Sequence, residues 1–279
     1  MKSFILGLIR NVGCMNFIRR SFRYRIFEKL EINFNFCVNF YGYIYSGNLN
    51  NYIDRSVFFF GAHEREQMNF SKKYINNGVV VDCGANTGNH SLFYSAFSKK
   101  VLSIEANPDL VSKLKNRIFV NGITNITLCN IGVGSQNHAS LPFYRSQGDN
   151  QGVSSFVEKF HYQNSNSINV KVKTLDSILS QYRISKVDFI KVDVEGFDFE
   201  TLKGARKIIS TCSPIIQIEY VPRDKTKMTT FLNQNSRYLA RTLIVNRALF
   251  VFNRPRGVLV EWDPDFRSEV FLIPSGLVI

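Results

Sequence analysis

The stretch Val79-Val80-Val81-Asp82-Cys83-Gly84-Ala85-Asn86-Thr87-Gly88-Asn89-His90 decides the fold of this 279-residue chain. Three consecutive valines are typical of a parallel strand that is buried on both faces. The strand leads into Asp82, a turn with glycines at 84 and 88, and a helical run from Ser91 to Phe97. Glycines let a backbone approach a ligand closely, and the start of a helix offers unpaired N–H groups. The stretch therefore predicts a strand–turn–helix unit that binds a cofactor.

A second apolar strand, Val101 to Ile104, supports this prediction because it ends in Glu105. Glu105 follows the first glycine by about 20 residues, and an acid at that distance commonly receives the ribose hydroxyls of a nucleotide cofactor. A helix then begins at Asn107-Pro108 and stops before Asn121-Gly122, and a third strand runs from Ile126 to Ile131. Alternation of strands and helices predicts a doubly wound α/β fold.

The turn departs from the dinucleotide-binding fingerprint. That fingerprint places glycines in the order G-x-G-x-x-G against a pyrophosphate, whereas this chain has Gly84, Asn86 and Asn89 at the three positions. Asn86 is able to adopt the left-handed backbone of a glycine. The pattern D-x-G-x-N-x-G, which begins at Asp82, suits a cofactor that carries positive charge and no phosphate. S-adenosylmethionine has an ammonium and a sulfonium, so the turn favours this methyl donor over NAD.

Three blocks of the sequence resemble the FkbM-type methyltransferases. The first is Asp82–Phe93 and the second is Ile104–Pro108. The third and most specific is Val187–Ala205, V-D-F-I-K-V-D-V-E-G-F-D-F-E-T-L-K-G-A, which is similar to the family pattern D-x-I-K-x-D-V-E-G-x-E-x-x-x-L-x-G-A. It departs from that pattern at Asp198, where the family usually has Glu, and keeps the charge. The resemblance extends over residues 54–220.

The resemblance implies a Rossmann-like class I methyltransferase fold, with a mostly parallel seven-stranded sheet and helices on both faces. An antiparallel pair, Tyr238–Asn253 and Glu269–Ile273, would close the sheet. The resemblance also implies S-adenosylmethionine-dependent O-methylation of a hydroxyl on a sugar, a glycan or a related natural product, without identifying the acceptor. We expect a basic, amphipathic and aromatic N-terminal extension (residues 1–62) and a class I methyltransferase domain (residues 63–279).

The residues expected to bind the cofactor come mainly from these blocks. Asn130 joins them because ligands of open α/β sheets bind at the carboxyl ends of the strands. Glu64 joins them because Gly61–Glu64 resembles a family block beside the cofactor. Alternatively, Glu64 is a solvated acid in the first turn of a helix that runs to Ile75. The predicted set is Asp82, Gly84, Asn86, Gly88, Glu105, Asn130 and Glu64.

The strand Val187–Glu195 carries the candidate catalytic acids. Side chains alternate across a strand, so Lys191, Asp193 and Glu195 would share one face. Burying three charges there is costly unless they pair or serve a purpose. We predict that Asp193 or Glu195 acts as the base or orients the acceptor, with Glu219, near the end of the next strand, as a third acid.

Two alternatives remain open for these acids. In the first, Lys191 and the carboxylates form a paired cluster that only fixes the sheet. In the second, Asp193, Glu195 and Glu219 bind Mg²⁺, which polarises the acceptor hydroxyl. Hard oxygen ligands without an accompanying histidine cluster suit Mg²⁺ better than zinc.

The remaining segments are assigned from their local patterns. Glu31–Gly61 predicts short strands or a hairpin, and its aromatic residues favour core packing over a role in the acceptor pocket. The long polar stretch Gly132–Ser167 is interpreted as an acceptor-side loop. It contains His138 and His161, each of which fits either a base or a surface histidine. A further strand is expected at Ile168–Thr174, and helices at Leu175–Tyr182, Asp198–Ile209 and 223–235.

Composition bears on compartment and partners. The net charge of +13 and the pI of about 9.6 concern solubility and partners rather than function. The five cysteines are odd in number and lack a C-x-x-C pair, which argues for reduced thiols in the cytoplasm and against a disulfide scaffold or a zinc site. Residues 1–30 are strongly basic. They fit either an amphipathic helix on the inner face of an anionic membrane or a solvated helix that packs on its own domain.

The motifs argue against some other functions and leave two alternatives open. A nucleic-acid N-methyltransferase would carry Asn/Asp-Pro-Pro-aromatic where this chain has Asp193-Val194-Glu195-Gly196, so a nucleic-acid partner is not expected. An RNA 2′-O-methyltransferase remains an alternative. So does a non-catalytic module that binds a membrane surface on a methyltransferase fold, although the intact Asp82, Gly84, Gly88 and Glu105 count against it. The sequence does not indicate the oligomeric state.

Overall fold

The structure, a computed structural model, describes residues 33–75, 77–145, 154–157, 166–246 and 256–277. The basic residues 1–30 and His161 lie outside these ranges. So does the predicted turn Asn253–Gly257, apart from its last two residues. Among the described residues, no helix is both long and apolar enough to cross a membrane.

The described residues form thirteen strands and eight α-helices. The strands are β1 (Asn35–Phe40), β2 (Tyr43–Asn48), β3 (Val79–Cys83), β4 (Lys100–Glu105), β5 (Ile126–Asn130), β6 (Gly132–Val133), β7 (His138–Arg145), β8 (Asn166–Lys173), β9 (Phe189–Val192), β10 (Ile215–Tyr220), β11 (Tyr238–Asn246), β12 (Arg256–Glu261) and β13 (Ser268–Pro274). The helices are α1 (Tyr52–Phe60), α2 (Arg65–Ile75), α3 (Asn89–Ser95), α4 (Pro108–Val120), α5 (Leu175–Gln181), α6 (Asp198–Lys203), α7 (Arg206–Cys212) and α8 (Lys225–Gln234).

The central sheet has the strand order β12-β11-β13-β10-β9-β3-β4-β5. The five strands from β10 to β5 are parallel, and the other three are antiparallel. This confirms the Rossmann-like class I fold. The described sheet has eight strands rather than the predicted seven, because β12 pairs with β11 at the edge. β6, β8 and β7 form a second, three-stranded sheet.

The two faces of the central sheet bury separate apolar clusters. Val81, Ile190 and Ile216 contribute to one cluster, which α5, α6 and α7 cover. Val80 and Phe189, which point to the opposite face, contribute to the other cluster. These alternating apolar side chains confirm that the valine stretch is a strand buried on both faces.

The N-terminal part of the described chain packs into the second cluster. β1 and β2 form the predicted hairpin, and its turn residues Tyr41 and Gly42 have φ of 51° and 93°, as a two-residue hairpin turn requires. The sequence analysis missed α1, whose Asn51 side chain caps the N–H groups of Ile53 and Asp54 at 3.0 Å. The phenylalanines of this region are largely buried beside Val80, Phe93 and Phe189, as the packing interpretation expected.

Three other segments differ from the predictions. The predicted loop 132–167 contains β6 and β7, and the predicted strand 187–195 is shortened to β9. The predicted helix 198–209 is two helices that break at Gly204, where a Cβ would meet the carbonyl oxygen of Gly134 at 2.0 Å. β11 is described as far as Asn246, and the rest of the predicted strand, to Asn253, lies outside the described residues.

Candidate functional site

The turn between β3 and α3 has three residues with left-handed backbone. Gly84, Asn86 and Gly88 have φ of 84°, 51° and 95°. The prediction that Asn86 takes a conformation typical of glycine is therefore confirmed. A Cβ on Gly84 would lie 1.8 Å from the carbonyl oxygen of Asp193. Glycine thus lets this turn lie directly against the carboxyl end of β9.

Glu105, at the end of β4, faces this turn. Its carboxylate accepts hydrogen bonds from the backbone N–H of Asn86 at 2.8 Å and from that of Asn107 at 2.8 Å. The side chain is buried, and burial raises the pKa of Glu105 to about 7, although the N–H groups of Asn107 and Asn86 oppose this shift. The cofactor-free protein therefore holds an acid that is close to half ionised near neutral pH.

A cleft that is partly open to solvent runs along the carboxyl ends of the strands. Five predicted site residues line it: Gly84, Asn86, Glu105, Asp193 and Glu195. The other lining residues are Ile104, Ala106, Ile131, Gly132, Val133, Phe143, Ser154, Phe156 and Val194. The structure thus brings the first two sequence blocks together with the acidic part of the third.

The aromatic wall of this cleft was missed by the sequence analysis. The ring of Phe156 lies 4.8 Å from that of Phe143 and 5.3 Å from that of Phe197, centroid to centroid. Phe156 also covers Gly132, where a Cβ would come within 2.4 Å of the ring. Such a wall suits a flat aromatic group such as adenine. Phe143 and Phe156 belong to the stretch predicted to be a loop, which gave no signal for this role.

Asp82 is fully buried in β3 and does not line the cleft. The hydroxyl of Ser91 donates to its Oδ2 at 2.6 Å, and Ser103 donates to Ser91 at 2.8 Å. The other carboxylate oxygen, Oδ1, is buried without a hydrogen-bond partner among the described residues. Asp82 thus fastens α3 to the sheet, and a direct contact with the cofactor stays a prediction.

Asn130 and Glu219 occupy supporting positions. The Asn130 side chain donates to the carbonyl oxygens of Glu105 at 3.0 Å and Ala106 at 3.1 Å, which holds the end of β4 beside β5. Glu219 is half-buried on β10 and accepts a hydrogen bond from Arg267 Nε at 3.0 Å. Neither residue lines the cleft, so both roles stay predictions.

Glu64 lies in a small polar cluster that sequence spacing did not reveal. It has φ of 54°, and its carboxylate lies 3.2 Å from Nε2 of His90. Burial acts to raise the pKa of Glu64, but His90 outweighs this effect and holds the pKa well below its ordinary value. The backbone of His63 exchanges hydrogen bonds with the Asn89 side chain at 3.2 and 3.1 Å. These contacts fix the segment before α2 to the start of α3 rather than leaving Glu64 solvated.

The two principal candidate acids, Asp193 and Glu195, differ in their surroundings at the carboxyl end of β9. Lys191 is buried, and its Nζ lies 2.7 Å from Oδ2 of Asp193, so the paired arrangement exists for Asp193. Burial acts to lower the pKa of Lys191, but the charges of Asp193 and Glu64 hold it well above the ordinary value. Asp193 is therefore both paired and exposed to the cleft.

Glu195 does not continue the alternation of β9, which corrects the prediction that it shares a strand face with Asp193. The strand ends at Val192, and Glu195 has φ of 50°. Its turn is held by Asp198, which accepts from the N–H groups of Val194 at 3.1 Å and Gly196 at 2.9 Å. Burial, together with the charges of Asp193 and Glu219, raises the pKa of Glu195 to about 8.

The predicted Mg²⁺ site does not fit this arrangement. Asp193 is paired with Lys191, and Glu219 is paired with Arg267. Within the described ranges, no group of three or more His, Cys, Asp or Glu side chains is arranged to hold a metal ion. We therefore derive no catalytic step through Mg²⁺. His138, a second candidate base, lies on β7 and does not line the cleft.

The doubly wound sheet, the left-handed turn after its first parallel strand and the acid at the end of the next strand define a class I methyltransferase type of protein. The profile of the Methyltransferase FkbM domain matches residues 82–239, which is 158 of the 279 residues. The chain belongs to the FkbM methyltransferase family. A search of curated proteins finds no match.

Several solved structures are similar to this chain at low sequence identity. Methyltransferase FkbM from Methylobacillus flagellatus KT is 20% identical with a TM-score of 0.46, and the match covers 71% of this chain and 44% of that chain. An rRNA methylase from Streptococcus thermophilus is 16% identical with a TM-score of 0.43, covering 75% and 93%. The tRNA m1G37 methyltransferase of M. jannaschii is 15% identical with a TM-score of 0.47, covering 88% and 56%. The chain thus spans less than half the length of the first of these structures.

Proposed function

We propose that this protein transfers a methyl group from S-adenosylmethionine to a hydroxyl of a sugar, a glycan or a related natural product. One observation carries the proposal: Asn86, Glu105, Asp193 and Glu195 line a single cleft. The residues proposed to bind the nucleoside are therefore contiguous with the two candidate acids, as transfer from a nucleoside-based donor to a hydroxyl requires.

The donor side of the cleft fits S-adenosylmethionine. The Glu105 carboxylate would accept the ribose hydroxyls, and the Phe143 and Phe156 rings would cover the adenine. Gly84 lets the turn lie against the carboxyl end of β9, which brings Asp193 to the cleft that the donor would occupy. When bound, the cofactor supplies an electrophilic methyl group on sulfur.

On the acceptor side, Glu195 is the stronger candidate for the base. A general base is most effective when its pKa lies near the working pH, and the pKa of Glu195 is raised to about 8. Asp193, which is paired with Lys191, would instead accept a hydrogen bond and orient the acceptor hydroxyl. The preference for a sugar-type hydroxyl over RNA rests on what the resemblance to the FkbM family implies about the acceptor.

Calorimetric titration with S-adenosylhomocysteine, alongside NADH, tests the donor. We expect micromolar binding of the former only, and a loss of about a hundredfold in Glu105→Ala, because two charge-assisted hydrogen bonds are removed. Asp109→Ala is the matched control, since Asp109 is an exposed acid on the neighbouring helix α4. Tight binding of NADH without a response to S-adenosylhomocysteine would contradict the proposal.

Transfer of a labelled methyl group tests the acceptor. Sugars, glycans and hydroxylated natural products are compared with RNA in the same assay. Label in the sugar or natural-product class supports the proposal, and label in RNA that is lost when the 2′-hydroxyls are absent supports the alternative. If the protein binds anionic vesicles but neither nucleoside ligand, the non-catalytic alternative is favoured.

A further inference from the structure

Arg117, on α4, is a buried arginine that contacts the turn between β3 and α3, here called the cofactor turn, without lining the cleft. Its side chain is only 5% exposed. One guanidinium nitrogen, Nη1, donates to the carbonyl oxygen of Thr87, which belongs to the turn between β3 and α3. Nη2 donates to the carbonyl oxygen of Ser46 at 2.7 Å and to Oδ1 of Asp54 at 2.9 Å. Arg117 thereby links the turn to the N-terminal hairpin and to α1.

Asp54, the acidic partner of Arg117, is also fixed by hydrogen bonds to other residues. Besides Arg117, its carboxylate accepts from the hydroxyl of Tyr45 at 2.8 Å and from the backbone N–H of Asn48 at 3.0 Å. The Arg117 guanidinium lies over the Tyr45 ring, 3.8 Å from its centroid. Gly47 permits this approach, because a Cβ there would come within 2.9 Å of the Asp54 side chain.

The turn is therefore clamped from two directions. On the cleft side, Glu105 accepts from the N–H of Asn86, and the carbonyl oxygen of Ile104 accepts from the N–H groups of Gly84 and Ala85 at 2.9 and 3.0 Å. On the opposite side, Arg117 satisfies the carbonyl of Thr87. Lysine would keep the charge but lacks the planar fork that reaches three acceptors together. Neither Arg117 nor Asp54 lines the cleft.

We propose that Arg117 and Asp54 are positioning residues for the cofactor turn, so that the hairpin β1–β2 and α1 set the affinity for the methyl donor without contacting it. The inference rests on the proposed function, because it requires the donor to bind at this turn. Removal of the pair would leave the Thr87 carbonyl buried without a donor, and the turn would relax away from the geometry that the ribose and Asn86 require. By linkage, bound donor would in turn stabilise the hairpin.

The test uses the full-length protein and S-adenosylhomocysteine as the probe, with the dissociation constant and Tm measured for each variant. We expect Arg117→Lys to weaken binding about tenfold. Tyr45→Phe removes only the hydroxyl that donates to Asp54, and we expect a loss of about threefold. The control is Phe70→Leu, which loosens ring packing against Phe271 in the same apolar cluster but lies on α2. We expect it to lower Tm and to leave the dissociation constant unchanged.

Each outcome of this experiment either supports or overturns the positioning role of Arg117 and Asp54. Weakened binding in Arg117→Lys and Tyr45→Phe, with unchanged binding in Phe70→Leu, supports the inference. Unchanged binding in both, or an equal loss in all three variants, overturns it. If Arg117→Lys does not fold, Tyr45→Phe alone decides. If the wild-type protein binds no S-adenosylhomocysteine, the proposed function fails first and this inference fails with it.

Discussion

Glu105 and Glu195 are acids with a raised pKa, whereas Asp193 has its carboxylate 2.7 Å from the Lys191 ammonium. The difference follows from their surroundings. Glu105 is buried and receives two backbone N–H groups, and Glu195 is half-buried near two other acids. The three carboxyl groups along the cleft therefore have different surroundings, which allows them to take different roles in binding and proton transfer.

Binding of the donor should depend on the ionisation of Glu105. Its pKa is about 7 without cofactor, and only the carboxylate accepts both ribose hydroxyls. Affinity for S-adenosylhomocysteine should therefore rise with pH, by about tenfold per unit well below pH 7, and become constant above it. Calorimetry between pH 5.5 and pH 8.5 measures this slope, in a range chosen to bracket a pKa of about 7. The slope should disappear in Glu105→Gln, and its persistence there would assign the titration to another group.

The rate of methyl transfer should report Glu195. A base must be deprotonated to accept the acceptor's proton, so kcat should rise with pH through about 8 and then level off. Glu195→Gln should lower kcat by about 10²–10⁴-fold. Glu219→Gln should move the rise to lower pH, because it removes a neighbouring negative charge and frees Arg267. A profile that stays in place in Glu219→Gln would contradict this assignment.

Sequence reasoning identified these residues to different degrees. Gly84, Asn86 and Glu105 follow from local pattern, because a strand, a turn and a second strand place them together in any doubly wound sheet. The contact between Glu64, in the turn before α2, and His90, on α3, joins residues 26 positions apart, and no local periodicity predicts it. The departure of Glu195 from the strand pattern depends on left-handed backbone at Glu195 and Gly196, which strand alternation does not anticipate.

At the scale of elements, the turn after β3 and the carboxyl end of β9 pack against each other through a glycine. Gly84 has a positive φ and no space for a Cβ, since the backbone oxygen of Asp193 would be 1.8 Å away. Gly61, which ends α1, also has a positive φ but has no atom within 4 Å of a Cβ. Substitutions at these two glycines therefore distinguish the energetic cost of a left-handed backbone from the cost of disrupting close packing.

We expect Gly61→Ala to lower the free energy of unfolding by about 1–2 kcal/mol, the cost of a left-handed residue with a Cβ. Gly84→Ala should cost about 1–3 kcal/mol more, because β3 and β9 must move apart. Urea denaturation gives both values. Equal losses in the two variants would mean that the approach of the turn to Asp193 is not required for stability.

Helices and strands were predictable where the apolar pattern of the sequence agrees with its start and stop signals. β3, β4, α4 and β10 have apolar runs or clear stop signals, and their bounds lie within a few residues of expectation. β7 was missed because its alternation is interrupted by Pro142, and its other exposed positions are the small residues Ala139 and Ser140. α1 was missed because Phe58, Phe59 and Phe60 suggest a strand, whereas the Asn51 cap and burial against the core favour a helix.

At the scale of the whole molecule, the N-terminal hairpin and α1 share a core with the central sheet. Phe36, Phe40 and Phe59 lie in the same buried cluster as Val80 and Phe189. The predicted boundary after residue 62 thus divides a continuous apolar cluster. Burial of each such aromatic side chain contributes about 1.5–3 kcal/mol, which is large beside the net stability of a domain.

A chain that begins at residue 63 should therefore not fold into a stable domain, whereas one that begins at Asn33 should keep both its cooperative unfolding and its binding of S-adenosylhomocysteine. Thermal unfolding and calorimetry of the two truncated chains check this. Cooperative unfolding of the shorter chain would establish residues 63–279 as an independent domain.

The position of β9 in the sheet has a consequence for biosynthesis. Val80 pairs with Val101 on one side and with Phe189 on the other, and the second partner lies 109 residues later in the chain. While the ribosome is still synthesising the intervening residues, β3 has one open edge lined by valines, a surface prone to misassembly. The cofactor cleft can form only after β9 has been translated and has paired with β3. Assembly of the site is thus a late event in the synthesis of the chain, because it depends on a strand pairing of large sequence separation.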